Sequence, residues 1–178
     1  NYQITYDMEE YDHELDQMLF HLPLSGSSFK KVYYDDVKMR AVSKFVPAED
    51  IVIPYTATDL ESCERITHVV KMMGNELRKK QIGGMYRDVD ITPSSVDSND
   101  AEDKYNELDG LTETQNAEDI VLLEFHCDLD IPGFEDKNVT TGEPTGIKLP
   151  YVVTVDEGTN KVLSIYRNYR EGDPLRKK

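Results

Sequence analysis

The stretch that decides the fold reads PYVVTV at residues 150–155, DEGTN at 156–160 and KVLSIYR at 161–167. Both outer runs are rich in β-branched and aromatic residues, which favour strands. The five-residue loop between them contains Gly158 and is short enough to join two antiparallel strands. We therefore predict a β-hairpin here, with antiparallel sheet as the framework of the chain.

Further strand-like sequence lies on both sides of the middle of the chain. Residues 27–53 read as a second hairpin, a turn at Pro47–Asp50 and a short strand. Residues 65–73 alternate in polarity, with one face formed by Ile66, His68, Val70 and Met72. The apolar run 120–125 is typical of a buried strand, and Pro132-Gly133 predicts a turn after it.

Two segments have the pattern of helices. The first is predicted to run from Thr5 to Leu22 and to end at Pro23 and Gly26, with one apolar stripe made of Met8, Tyr11, Leu15, Met18, Leu19 and Leu22. The second covers residues 76–82, with Asn75 as its N-cap and Gly83-Gly84 at its end. A capping box at Thr58–Glu61 and an extended segment over 86–91 complete the prediction. The fold class is therefore α+β, mainly antiparallel sheet with an N-terminal amphipathic helix and one or two short helices.

The composition is acidic, with 35 Asp and Glu against 20 Lys and Arg and a formal net charge of -15. Nucleic-acid binding normally needs a basic surface that displaces counterions from phosphates. We therefore expect that this chain does not bind nucleic acid by itself. Two distant cysteines, Cys63 and Cys127, and the lack of a signal peptide or an apolar run of about 18 residues predict folding in a reducing cytoplasm.

The charge is concentrated in the middle. Between Asp88 and Asp136 there are 16 acids and one base, Lys104. Residues 93–116 are poor in apolar side chains and predict a flexible acidic linker, with a marginal helix at 101–108. The predicted organisation is helix plus strands over residues 1–91, linker over 92–118, and strands completing the same domain over 119–178.

Several motifs invite a chemical interpretation. The pairs Asp88/Asp90 and Asp128/Asp130 resemble parts of calcium loops, but the remaining ligand positions are wrong, with Val139 where the bidentate acid should stand. Glu124, His126, Cys127 and Asp128 include metal-ligand types, but adjacent strand residues face opposite sides. We interpret the two aspartate pairs as solvated carboxylates at strand ends. We interpret the set from Glu124 to Asp128 as a half-buried strand end.

Other motifs also favour a structural interpretation. The histidines are scattered without a nucleophile partner, and Gly83-Gly84 lacks the strand-loop-helix order of a phosphate loop. The bases Arg78, Lys79 and Lys80 suit the C-terminal turn of a helix. The sequon at Asn138–Thr140 has no secretion signal before it. The sequence thus predicts no catalytic residue, no cofactor and no metal.

Several strings resemble the portal proteins of tailed bacteriophages, particularly the short-tailed type and related prophages. The resemblance covers roughly residues 11–91 and 119–178, and none of its strings is a catalytic signature. The strings that carry it are LPLSGSSFKKVYYD at 22–35, FVPAED at 45–50, PYTATDL at 54–60, THV at 67–69, NELRK at 75–79, YRDV at 86–89, TGIKLPY at 145–151, VLSIYRNY at 162–169 and DPL at 173–175.

The resemblance implies a non-enzymatic structural subunit. Portal proteins form a ring, typically dodecameric, at one capsid vertex, where DNA is packaged and ejected through the centre. The implied partners are other portal subunits, capsid and scaffolding proteins, terminase and tail proteins, with no membrane and no specific DNA contact by this segment. The implied location is the virion, and the host cytoplasm during assembly. Because the chain opens on Asn1 and ends on a charged run, we expect an internal fragment, corresponding to part of the portal wing.

Two alternatives stay open. One is a metal-dependent hydrolase or nuclease that uses the cluster from Glu124 to Asp130. The other is a peptide-binding module that uses an exposed strand edge or the acidic linker.

Overall fold

In the described residues, one helix and two strands are followed by two more strands, a second helix and three further strands. The computed structural model describes residues 8–35, 38–60, 63–91, 119–138 and 140–168. The helices are α1 (Tyr11–Ser25) and α2 (Gly74–Ile82), and the strands are β1 (Phe29–Asp35), β2 (Arg40–Val46), β3 (Ile51–Val52), β4 (Arg65–Met73), β5 (Asp119–Leu129), β6 (Leu149–Asp156) and β7 (Val162–Arg167). A 3-10 turn covers Ala48–Asp50. The predicted α+β class is confirmed.

The chain divides into two compact units, Asn1–Ile51 and Val52–Lys178. The division falls between the two hairpins and not at residues 92–118. Strand β4 precedes that predicted linker and β5 follows it, yet the two strands pair in one sheet. The linker and the marginal helix predicted at 101–108 lie outside the described residues.

The first unit is the predicted hairpin with α1 packed against β2. Strands β1 and β2 pair antiparallel from Phe29 opposite Val46 to Asp35 opposite Arg40. On β2, Val42 and Val46 are buried and share one face of the strand, and Ser43 is buried on the other face. The Lys30 ammonium lies 3.7 Å from the centroid of the Tyr11 ring, which joins β1 to the start of α1.

Helix α1 differs from its predicted bounds. It begins at Tyr11, after a turn, and it continues through Pro23 to Ser25; residues 5–7 lie outside the described part. A proline in the last turn removes only one hydrogen bond, so the helix survives it. Gly26 then ends the helix with a left-handed φ of 75° and donates its N–H to the Leu22 carbonyl at 3.0 Å.

The second unit contains a sheet in the strand order β3-β4-β5-β6-β7, in which β4 to β7 pair antiparallel. The predicted hairpin is confirmed as β6 and β7, and the predicted strand over 65–73 is confirmed as β4. The core lies on one face of this sheet, where α2 contributes Leu77 to a cluster with Met72, Ile120, Leu122 and Leu163. A register shift between Thr154 and Val155 leaves Leu163 as an extra residue in β7. We attribute its place in the core to this bulge.

Two local predictions in the second unit need correction, and the segment predicted to be extended, residues 86–91, lies outside the strands. Helix α2 begins at Gly74 after Met73, so Asn75 lies in the first turn and does not cap it. Residues 58–60 form bends instead of the start of a helix, while Glu61 lies outside the described part. Residues 86–91 form no strand of the sheet; instead, the Arg87 N–H donates to the Leu163 carbonyl at 2.8 Å. The predicted end of α2 is confirmed, with Gly84 at φ 74° as its left-handed residue.

Candidate interaction surfaces and the Glu124–His126 pair

Strand β5 carries the residues that the sequence singled out as metal-ligand types. The Glu124 Oε1 atom lies 2.8 Å from Nε2 of His126, because residues two apart share one face of a strand. Cys127 belongs to the opposite face, and Asp128 is exposed near the end of β5. In the parts of the chain that the structure describes, no group of three or more His, Cys, Asp or Glu is arranged to hold a metal ion. The structure therefore brings together two of the four predicted residues.

A row of polar residues crosses the sheet at the level of Glu124. Strand register aligns it with His68, Thr154 and Ser164. Tyr86 lies against this row: burial, followed by the negative charge of Glu124, raises the pKa of its phenol to about 12, although a hydrogen bond with Thr154 opposes the rise. Sequence reasoning missed the row because its members come from different strands. Alternation along each single strand was the only available signal.

Asp88 of the first carboxylate pair contacts Arg78 of the basic cluster. The Arg78 guanidinium pairs with Asp88, and the Lys161 ammonium donates to the Asp90 carbonyl at 2.7 Å. The Lys80 ammonium lies 3.4 Å from Glu76, four residues earlier on α2. Two of the three bases in the cluster thus have acidic partners within their own unit. Asp128 and Asp130 of the second pair are exposed.

The first unit exposes large apolar side chains from both its helix and its hairpin. On α1, Phe20 is 70% exposed and Leu24 is 74% exposed; on β1, Val32 is 62% exposed and Tyr34 is 59% exposed. Single exposed apolar residues are ordinary, but several on α1 and several on β1 indicate that both elements take part in interactions. The sequence assigned some helix residues to a core-facing stripe, yet Leu19 and Leu22 of that stripe are exposed.

The two outer edges of the hairpin differ in their hydrogen-bond partners. The N–H of Ser43 donates to Oε1 of Glu10 at 3.4 Å, and the N–H of Phe45 donates to Oε2 of Glu14 at 2.5 Å. Helix α1 therefore closes the outer edge of β2. Hydrogen bonding to the Arg40 guanidinium holds the pKa of Glu10 at about 2, and the carboxylate in turn raises the pKa of Arg40. In the described part of the chain, no strand pairs with the outer edge of β1.

The edge strand β7 of the second unit is covered in part by the segment that follows α2. Besides the bond from Arg87 to Leu163, the Tyr166 hydroxyl donates to the Met85 carbonyl. A shallow depression lies beside these contacts and is lined by Arg87, Val89, Lys161 and Val162. Its lining carries cations and aliphatic groups but no carboxylate. This edge of the sheet is therefore less available for pairing than the edge of β1.

Comparisons of the sequence with protein families and with curated proteins assign the chain to no family. No model of a protein family matches the chain, and no curated protein matches it significantly. Within the described ranges, neither helix has the length and apolar character needed to cross a bilayer. Any function must therefore be argued from the surfaces described above.

Proposed function

We propose that this chain is a structural subunit of a phage portal ring and forms part of its wing. The observation that carries the proposal is the exposed apolar surface of the first unit, to which α1 and β1 both contribute. Such surface is costly to leave in water, and contact with neighbouring subunits removes it from water. A ring subunit offers this contact on each side.

The positions of the portal-like strings support the same proposal. Several of them overlap the hairpin of the first unit, β4, α2 and the β6–β7 hairpin, while those at 54–60 and 86–89 lie in connecting segments and the one at 173–175 lies outside the described residues. The resemblance thus includes folded elements of both units. The net charge of -15 also suits a ring through which DNA passes without being held.

The proposed role is mechanical assembly without a chemical step. Its partners would be other portal subunits, the capsid and scaffolding proteins, and the terminase and tail proteins that meet the complete ring. The proposed location is the portal vertex of the virion, after assembly in the host cytoplasm.

Vertex labelling tests this role. Antibodies raised against the chain, with gold-labelled secondary antibodies, should mark one vertex of each tailed particle in electron micrographs. Particles without the chain, or label spread over the whole shell, would overturn the proposal. Antibodies against the major capsid protein provide the control, since they mark the shell evenly.

A metal-dependent hydrolase is the second candidate, and the 2.8 Å contact between Glu124 and His126 favours it. Calorimetric titration with Mn²⁺, Mg²⁺ and Zn²⁺ separates the two candidates. The portal proposal predicts no stoichiometric site. A tight site that both Glu124→Gln and His126→Asn abolish, while Glu157→Gln at an exposed position outside the cluster retains it, would favour the hydrolase instead.

A peptide-binding module is the remaining alternative, and the outer edge of β1 favours it because exposed edges accept extended peptides. Affinity capture from uninfected host extract tests it. One discrete, stoichiometric peptide or protein that competes with self-association of the chain would replace the portal proposal.

A further inference from the structure

Carboxylates at the start of α1 accept hydrogen bonds from the outer edge of β2, and this arrangement suggests how a second copy binds the outer edge of β1. Glu10, which directly precedes α1, and Glu14 of α1 are four residues apart, and they accept from Ser43 and Phe45, which are two residues apart on β2. Four helical residues rise about 6 Å and two strand residues about 7 Å, so carboxylates at this spacing match alternate N–H groups of an edge.

The outer edge of β1 presents the same pattern of donors. Ser43 lies opposite Val32, and Ala41 lies opposite Tyr34. In an antiparallel pair, residues whose N–H groups point away from the ladder lie opposite one another. Because the N–H of Ser43 points outward to Glu10, the N–H groups of Val32 and Tyr34 point outward on the other side.

The outer face of α1, defined as Asp12, Asp16, Leu19 and Phe20, carries a second pair of carboxylates at the same spacing. At about 100° per residue, Asp12 and Asp16 lie on the side opposite to Glu10 and Glu14. All four residues of the outer face are exposed. On the outer face of α1, acids lie beside apolar side chains. The edge of β1 is complementary, because it combines N–H donors with the exposed side chains of Val32 and Tyr34.

We propose that the outer edge of β1 in one copy docks against the outer face of α1 in the next copy. The inference rests on the proposed ring function and identifies a subunit contact within it. The contact is head-to-tail, because it joins two different surfaces. Strand β1 runs antiparallel to β2. A second copy in the same orientation as the first therefore places its Asp12 at the N–H of Tyr34 and its Asp16 at the N–H of Val32 of the first copy.

Two variants of the 178-residue chain remove one surface each. Val32→Pro deletes an outward N–H that the β1–β2 ladder does not use, and an edge strand tolerates proline at such a position. Asp12→Asn/Asp16→Asn removes the charges of the outer face of α1. The matched controls are Val32→Thr, which keeps the N–H, and the exposed Glu157→Gln in the second unit. Circular dichroism checks that every variant folds.

Sedimentation velocity over a range of concentrations gives the result. The wild type and the controls should self-associate, and each variant should raise the dissociation constant at least roughly tenfold, the effect of losing one charge-assisted hydrogen bond. Mixing the two variants should restore a 1:1 dimer that grows no further, since each still carries one intact surface.

Three results would overturn the inference: a wild type that stays monomeric, a Val32→Pro chain that associates normally, or a mixture that does not dimerise. None of them decides the portal role, which depends on the vertex labelling. Conversely, a restored dimer with unlabelled particles would uphold the contact and remove the phage assignment.

Discussion

The guanidinium of Arg40 forms a bidentate ion pair with the carboxylate of Glu10: Nη1 lies 3.0 Å from Oε1 and Nη2 lies 2.8 Å from Oε2. This two-pronged ion pair joins the residue just before α1 to the first residue of β2. The ion pair orients the same carboxylate that accepts the N–H of Ser43. The hydrogen bond at the edge of β2 therefore depends on the charge of Arg40, which lies 30 residues from Glu10 in sequence. The geometry predicts a pH effect in the first unit.

Stability of the first unit should fall in acid because of Glu10. Its folded pKa is about 2 against an ordinary value of 4.5, so its contribution is present above the ordinary value and is lost as pH falls toward 2. Chemical denaturation at a series of pH values should show Glu10→Gln less stable than the wild type near pH 6. The two should converge as the pH approaches about 2. A constant difference across this range would contradict the role of the charge. Glu49→Gln is the control, since Glu49 is an exposed acid of the same unit.

The second unit should depend strongly on Leu122, which is completely buried in the core on β5. Leu122→Ala removes buried methylene groups and leaves a cavity, which typically costs about 2–5 kcal/mol. Urea denaturation followed by circular dichroism measures the loss. Leu24→Ala makes the same chemical change at an exposed site and should cost much less. Equal losses in the two variants would show that the core is wrongly placed.

The turn after α2 should require glycine at position 84. A side chain at Gly84 meets no neighbouring atom, but φ of 74° strains any L residue, so Gly84→Ala should destabilise by about 1 kcal/mol. Gly74→Ala is the matched control, because its new Cβ would meet only Ile120 Cδ1 at an ordinary 3.8 Å. Thermal unfolding should place Gly84→Ala below the wild type and Gly74→Ala close to it. The reverse order would contradict the assigned turn.

One tyrosine should titrate late, and Tyr86 is the expected residue. Its folded pKa of about 12 exceeds the ordinary value of 10, so its contribution to stability is complete below the ordinary value. That contribution is lost as pH rises through the folded value. Ultraviolet titration should show a tyrosinate transition near pH 12 that disappears in Tyr86→Phe. Persistence of that transition in the variant would assign it to another tyrosine.

Local patterns predicted several elements of this fold. The β6–β7 hairpin, strand β4 and the end of α2 at Gly84 follow from alternation, β-branched residues and the backbone freedom of glycine. Each of these signals acts within a few residues. Such signals therefore remain readable without knowing what packs against the element.

Other predictions depended on contacts from elsewhere in the chain. The N-cap assigned to Asn75 was wrong, because α2 begins directly at the end of β4. The helix predicted to stop at Pro23 runs on to Ser25. Of the metal-ligand types on β5, the structure shows a contact between Glu124 and His126. The portal assignment itself stays a proposal, because it rests on resemblance and on exposed apolar surface.

The amino-acid sequence by itself determined the α+β class, the two hairpins and the acidic balance, because these depend on composition and on short-range periodicity. Only the tertiary structure decided that Glu10 and Glu14 close β2 while the described chain pairs no strand with the outer edge of β1. It also aligned His68, Glu124, Thr154 and Ser164 across the sheet. Edge closure and strand register arise from contacts between residues distant in sequence, and no local pattern records which residues will meet.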